Sequence, residues 1–417
     1  MNIDSQSPVR NDKGLRQIYT LSQTFYWITF LFLLNYQGNF LLAHGFTNTE
    51  IGLNFATCGI STVLFQLFLS KLTDRFPTKP LGSVVSVLLL SVLALILSLY
   101  AMRNIKLAIF LIFVLISAVY SSIQVLITSI SVRFINEGYQ LDFSQSRGIA
   151  SFIYAAISFF LGLVITSLDV SFLPLISLVP LVLLFAALQR VTKMEGQGPK
   201  HTIADDDETD ALQENLLKKY RGLSLFLLGL MLVFLGYNYL YSFLIQILTS
   251  VGGDSRHMAY VLTVGAVAET VVMINYTRLR RSLKAGKLLS IALVGFLVKA
   301  FILALLSNAN WVVGHQVIQA VGYRLYLPAG VDFINQVMSR KDEVRGQLFL
   351  GMSTYSGYVL ASLTGGVILD NFGAETIRWV GFIVTAVGMG ASLLSLPELA
   401  AIAEERRERF RQKIANL

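Results

Sequence analysis

The sequence predicts an all-α membrane protein of twelve transmembrane helices in two six-helix bundles, and three observations carry that reading. The 417 residues are 54% hydrophobic and only 14% charged, against roughly 25% charged in an ordinary globular chain. The apolar residues gather in runs of about 20, the length that crosses a bilayer. The basic residues collect in alternate loops. Twelve such runs leave no room for a large soluble domain, and a soluble enzyme is excluded.

Along the chain, the first half supplies apolar runs at 18–43, 51–70, 81–101, 107–131, 147–168 and 171–190. The second half supplies 221–248, 258–277, 288–307, 311–337, 346–369 and 378–397. Two separating gaps are very short, and turn-forming residues mark them: Ser167 and Asp169 in one, Ser307, Asn308 and Asn310 in the other. With both termini cytoplasmic, 27 Lys and Arg residues fall in cytoplasmic segments, while four (Arg103, Lys106, Arg256 and Arg378) fall opposite. That asymmetry obeys the positive-inside rule. The expected organisation is a cytoplasmic tail at 1–17, a first bundle at 18–190, a cytoplasmic linker at 191–219, a second bundle at 220–397 and a charged cytoplasmic tail at 398–417.

Other classes fall away on chemistry. The opening residues lack the charged, apolar, small-residue order of a cleaved signal, so the first run is a retained span. Cys58 is the single cysteine, which leaves no intramolecular disulfide and no cysteine-based metal cluster. The net charge of +8 lies in loops between spans and does not imply nucleic acid. Asp205, Asp206, Asp207, Glu208 and Asp210 form an acidic run in the linker, read as a solvated connection rather than a metal site. No channel filter and no nucleotide-binding loop is evident. No cofactor and no metal is expected. The partners implied are the lipid bilayer, a small-molecule solute and protons, and a chain that holds both bundles can function as a monomer.

A charged side chain within a span is costly and is a functional hypothesis by default. Glu269 falls midway along the eighth run, Lys299 near the centre of the ninth and Arg324 within the tenth. One acid against two bases leaves a surplus positive charge, for Asp332 or an anionic solute to neutralise. Opposed effects of desolvation and a nearby cation on a carboxylate suit a proton carrier. Glu269, with Lys299 and Arg324 as partners, is therefore the expected proton-coupling group. The bland alternative is a buried ion pair that only fixes helix packing. The planar fork of Arg324 also suits bidentate contact with a carboxylate or phosphate.

The first half carries uncharged polar residues instead: Asn35, Gln37, Asn39, Asn54, Gln66 and Gln124. Arg147 opens the fifth run, with Tyr154 two turns later on the same face. A cation and a ring side by side fit a hydroxyl-rich cyclic ligand. The expected solute-binding residues are Arg147, Tyr154, Gln124, Glu269, Asn238 and Tyr323. Any one uncharged polar residue is more often interhelical glue. His315 is read as a satisfied interfacial histidine.

The six-plus-six plan and the loop Ser70-Lys71-Leu72-Thr73-Asp74-Arg75-Phe76-Pro77-Thr78-Lys79 resemble the major facilitator superfamily. Asp74, Arg75 and Lys79 keep the pattern of that loop, while Ser70 and Pro77 replace its glycines. The resemblance implies a gating role for Asp74 and Arg75. Within that superfamily the chain is most similar to the lactose-permease-like branch of oligosaccharide and nucleoside proton symporters. Gly265-Ala266-Val267-Ala268-Glu269, Lys299 and Phe143-Ser144-Gln145-Ser146-Arg147 carry that similarity. It implies that Glu269 links solute to proton, that Arg147 and Tyr154 contact a sugar, and that Lys299 belongs to the coupling region. Gln124 stands where the branch has a carboxylate, and Gly322-Tyr323-Arg324-Leu325 lacks its His and Glu. Those departures count against lactose itself.

The function expected is secondary active transport, with proton-coupled uptake of a sugar-like or nucleoside-like solute by alternating access across a bacterial-type inner membrane. The runner-up is proton-driven efflux of sugars or amphipathic drugs.

Overall fold

The computed structural model describes residues 13–75, 81–136, 139, 143–194, 216–339 and 342–415. The chain divides into two compact units, 1–204 and 205–417. Each is all-α.

In the first unit, α1 (Lys13–Phe30) runs into a π turn (Leu31–Asn35) and then α2 (Gln37–Ala43). There follow α3 (Asn48–Arg75), α4 (Leu81–Ala101), α5 (Lys106–Asn136) and α6 (Phe143–Val164). The short α7 (Leu173–Ile176) and the longer α8 (Leu178–Met194) close the unit. Helix α1 packs on α6 and α8, while α5 packs on α3 and α4. Leu64, Phe68, Leu107 and Phe160 face outward, as expected of helices whose solvent is lipid. Their buried faces meet through polar ties as well as apolar packing. The rings of Tyr26 and Tyr120 stack at 4.7 Å, and the Tyr120 hydroxyl donates to the Tyr26 carbonyl at 2.6 Å.

In the second unit, α9 (Leu216–Lys219) leads into α10 (Leu223–Ser242) and α11 (Leu244–Ser250). Next come α12 (Ser255–Ser282) and α13 (Ala285–Leu305). The tenth crossing is broken: α14 (Ala309–His315), a 3-10 turn (Gln316–Ala320), then α15 (Tyr323–Val337). One long helical stretch, α16 (Glu343–Ala415), contains the last two crossings. Gly373 divides it with φ 78° and ψ 177°, a conformation that a side chain opposes.

Nine segments among the described residues are long and apolar enough to cross a membrane. The last of them spans 62 residues, far more than one crossing needs, and Gly373 makes it two. The first and tenth crossings are assembled from shorter pieces and complete a twelve-helix multi-pass bundle.

Glycines set the closest approach in the second unit. A Cβ at Gly229 would lie 2.6 Å from the Ser392 amide nitrogen, and one at Gly388 would lie 2.6 Å from the Gly229 carbonyl oxygen. Small residues let helix backbones meet where lipid offers no hydrophobic drive. The core beside this seam is aromatic, built on Phe226, Phe234, Phe296, Tyr326 and Phe333. At one end of the unit, Asp342 gathers Lys219 at 3.0 Å, the Tyr220 hydroxyl at 2.8 Å and the Ser339 hydroxyl at 2.8 Å.

Candidate functional site

The charged residues of the second unit are positioned by a break in the helix. Span ten loses its α-helical course over Gln316–Gly322, and Gly295 of α13 lies against that break. A Cβ at Gly295 would come within 2.9 Å of the Gly322 amide nitrogen. Lys299 lies one turn further along α13, so this close approach sets its side chain beside Gln319. Lys299 is 5% exposed, and its ammonium donates to Gln319 Oε1. Gln319 Nε2 in turn donates to the Tyr237 hydroxyl at 2.7 Å.

Arg324 follows the same break, in the first turn of α15. Its Nη2 lies 2.5 Å from Glu269 Oε2 on α12, with the two side chains 19% and 13% exposed. The pair and the lysine are joined by rings. Tyr237 stacks on Tyr323 at 5.5 Å with planes 2° apart. The Arg324 guanidinium lies 5.2 Å from the Tyr323 ring, and the Lys299 ammonium 5.4 Å from that of Tyr237. Glu269 and Arg324 thus form an ion pair, whereas Lys299 meets a neutral amide and a ring face.

Asp332 does not offset the surplus charge at this centre. It accepts from Arg280 Nε at 2.9 Å and from the Tyr276 hydroxyl at 2.7 Å, near the end of α12. The basic stretch Asn275 to Arg281, which contains no acid of its own, receives one from α15.

The first unit holds a second polar centre with a different plan. The Arg147 guanidinium sits 3.7 Å from the centroid of the Trp27 ring and donates to the Ser151 hydroxyl at 3.4 Å. Tyr154 is turned to another partner, its hydroxyl accepting from Asn35 Nδ2 at 2.5 Å. The π turn explains that contact. An i→i+5 turn takes up one residue more than an α turn. Asn35 therefore falls where residue 34 would otherwise continue the row begun by Gln23 and Trp27. Gln124 Nε2 donates to Gln23 Oε1 at 3.3 Å, and Gln23 Nε2 donates to the Tyr19 hydroxyl at 2.9 Å. Nearby, Gln37 Nε2 donates to Asn54 Oδ1 at 2.6 Å.

The remaining expected site residues fall elsewhere. Asn238 is buried, and its Nδ2 donates to the Phe234 carbonyl one turn back at 2.7 Å, a local helix contact. His315 is buried as well, with Nδ1 2.7 Å from the Val312 carbonyl oxygen. Helix α3 ends on Asp74 and Arg75, whose side chains lie outside the described residues, as does the acidic run at 205–210. Sequence reasoning missed Trp27, Gln23 and Tyr237. Gln23 and Trp27 stand four residues apart on one helix face, a signal that an aromatic-rich span hides.

The fold has well-defined relatives. The nucleoside transporter NupG matches with a TM-score of 0.70 and 16% identity, over 93% of this chain and 98% of that one. An auto-inhibited POT family peptide transporter matches at 0.69 and 13%, over 94% and 97%. A bacterial homologue of the human lysosomal transporter Spinster, inward-facing and unoccupied, matches at 0.57 and 14%, over 96% and 97%. No curated protein matches the sequence. The MFS_1 like family matches over residues 20–393. The chain belongs to that family and is a secondary transporter of small organic solutes, not an enzyme.

Proposed function

We propose that the protein couples inward movement of protons to uptake of a sugar-like or nucleoside-like solute, by alternating access, in a bacterial-type cytoplasmic membrane with both termini inside. The observation that carries this reading is the charge centre of the second unit: Glu269 paired with Arg324, with Lys299 buried alongside. Charges held in a membrane-embedded bundle are retained against their desolvation cost where they serve ion or solute movement. Glu269 is the coupling carboxylate, released and recaptured by Arg324 as the proton comes and goes. Lys299 keeps the centre electrically responsive, because among the described residues its ammonium meets an amide and a ring rather than a second carboxylate. Asp74 and Arg75 gate, and a single chain suffices.

The resemblance of Glu269 and Lys299 to the lactose-permease-like branch supports the solute class, and so does the likeness to a nucleoside transporter. The first-unit centre, built of amides and hydroxyls around the cation Arg147, favours a neutral polar ligand over a peptide.

The test is proton flux. Cells and inverted vesicles receive an imposed gradient of disaccharides, sugar acids or nucleosides, with Glu269→Gln as control. External alkalinisation driven by one solute class, abolished in Glu269→Gln while counterflow persists, is the expected result. Counterflow of a solute with no proton signal in the native protein sinks the coupling model and leaves a facilitator.

A further inference from the structure

The polar centre of the first unit contains two hydrogen-bonding atoms that the fold leaves unused. Trp27 Nε1 is a buried donor and Gln124 Oε1 a buried acceptor, and neither has a partner among the described residues. A buried polar group without a partner is destabilising, and native folds hold few of them. The two lie close along the chain of contacts. Gln124 on α5 bonds Gln23 on α1, and Trp27 stands one helical turn beyond Gln23. Neighbouring polar groups are spent: Tyr154 on Asn35, and Arg147 on Ser151 and the indole face.

The Arg147 stack also fixes how Trp27 can act. With a guanidinium 3.7 Å from its ring centroid, that face of the indole is covered and cannot carry a sugar or base lying flat on it. What the residue still offers is its N–H edge. Tyr26 and Phe30 hold the ring from the side, at 5.3 and 5.2 Å between centroids. A ring pinned by three neighbours presents its edge in one direction, as a selective contact requires.

We infer that Trp27 Nε1 and Gln124 Oε1 form a donor–acceptor pair that reads the solute, which must itself carry an acceptor beside a donor. The shared chemistry occurs in the carbonyl and N–H of a nucleobase amide edge, and in neighbouring hydroxyls of a sugar. This rests on the reading of the protein as a sugar or nucleoside carrier. Within it, solute selectivity in the first unit is assigned to Trp27 and Gln124, with Arg147 as the positioning residue that holds the indole.

The test uses the full-length protein in nanodiscs, with tryptophan indoles labelled by 15N. Uridine, 3-methyluridine (which lacks the base N–H) and methyl β-galactoside are each titrated in. Uridine is expected to shift the Trp27 indole resonance, identified by its loss in Trp27→Phe, and to spare those of Trp311 and Trp379. The affinity for uridine should fall about tenfold in Trp27→Phe, as one net hydrogen bond to a ligand is worth. 3-Methyluridine should bind the native protein about tenfold more weakly than uridine does. The same shift and loss with the galactoside in place of uridine assigns the pair to sugar hydroxyls. A probe that binds the native protein without moving the Trp27 signal, and binds Trp27→Phe equally well, overturns the assignment alone. Failure of all three probes to bind overturns the solute class proposed above, and the ligand assigned here with it.

Discussion

The two units solve the problem of polar groups in a bilayer in opposite ways. The first unit uses uncharged side chains arranged along α1, with Arg147 as a cation laid on an indole face. The second concentrates opposite charges, closing Glu269 onto Arg324 at 2.5 Å and wrapping the centre in stacked tyrosines. Their backbones differ in parallel. The first unit shifts the register of a helix by a π turn, whereas the second breaks span ten and brings Gly295 against the break. An ion pair is sensitive to proton uptake, and an array of amides and hydroxyls is not. Under the proposed function, this contrast amounts to a division of labour, in which one unit reads the neutral solute and the other responds to protons.

The comparison is broken most sharply through the ion pair. Arg324→Leu leaves Glu269 as an uncompensated buried charge and is expected to destabilise the protein by about 3–5 kcal/mol. The double variant Glu269→Leu with Arg324→Leu should recover most of that loss. Thermal unfolding of the purified protein decides the matter, and a double variant no more stable than the single one denies the coupling. The same measurement on Gln124→Leu in the first unit should show a smaller loss, because only a hydrogen bond between two neutral amides is removed.

The packing contrast is next in size. Gly229→Ala drives a methyl group into the backbone of α16 and should cost about 1–3 kcal/mol. Gly148→Ala, beside Arg147 on α6, meets nothing within 4 Å. It should stabilise by about 0.5–1 kcal/mol through the ordinary helix preference for alanine. Equal effects at the two positions deny that Gly229 seals a backbone contact.

The smallest expected effect lies outside the membrane crossings, at Asp342. Burial raises the affinity of its carboxyl for a proton. Hydrogen bonds from Tyr220, Lys219 and Ser339, and the nearby Lys219 charge, outweigh that and lower its pKa below the ordinary 3.8. A carboxyl depressed in the folded state stabilises the protein above its unfolded pKa, and loses that contribution as pH falls through the folded value. Asp342→Asn should therefore be less stable than the native protein at neutral pH, by under ~1 kcal/mol with so exposed a lysine partner. The gap should close as pH drops below about 3.8. A gap unchanged across that range places the stabilisation elsewhere.

Much of the fold was legible because a bilayer imposes a length and a composition on each crossing. The 54% hydrophobic content and the apolar runs predict the all-α bundle that the structure contains. Span boundaries were less legible where a crossing is broken. No proline or glycine marks the π turn at Leu31–Asn35 or the 3-10 turn at Gln316–Ala320, so neither segment carries a helix-breaking signal. The long connection through 205–210 lies outside the described residues.

Sequence alone determined the class of protein, its crossings and the charges that stand out within them. Glu269, Lys299 and Arg324 are conspicuous in one dimension, because hydrocarbon opposes charge wherever the helices pack. Tertiary structure decided the partners. It gave Arg324 to Glu269, Lys299 to Gln319, Asp332 to Arg280 and Tyr154 to Asn35. It also brought Arg147 onto Trp27, a pairing that no spacing of 120 residues announces. Partner choice turns on helix register and the depth at which two backbones approach. Those are set by one extra residue in a turn or one missing Cβ at Gly295, and neither leaves a trace in composition or periodicity.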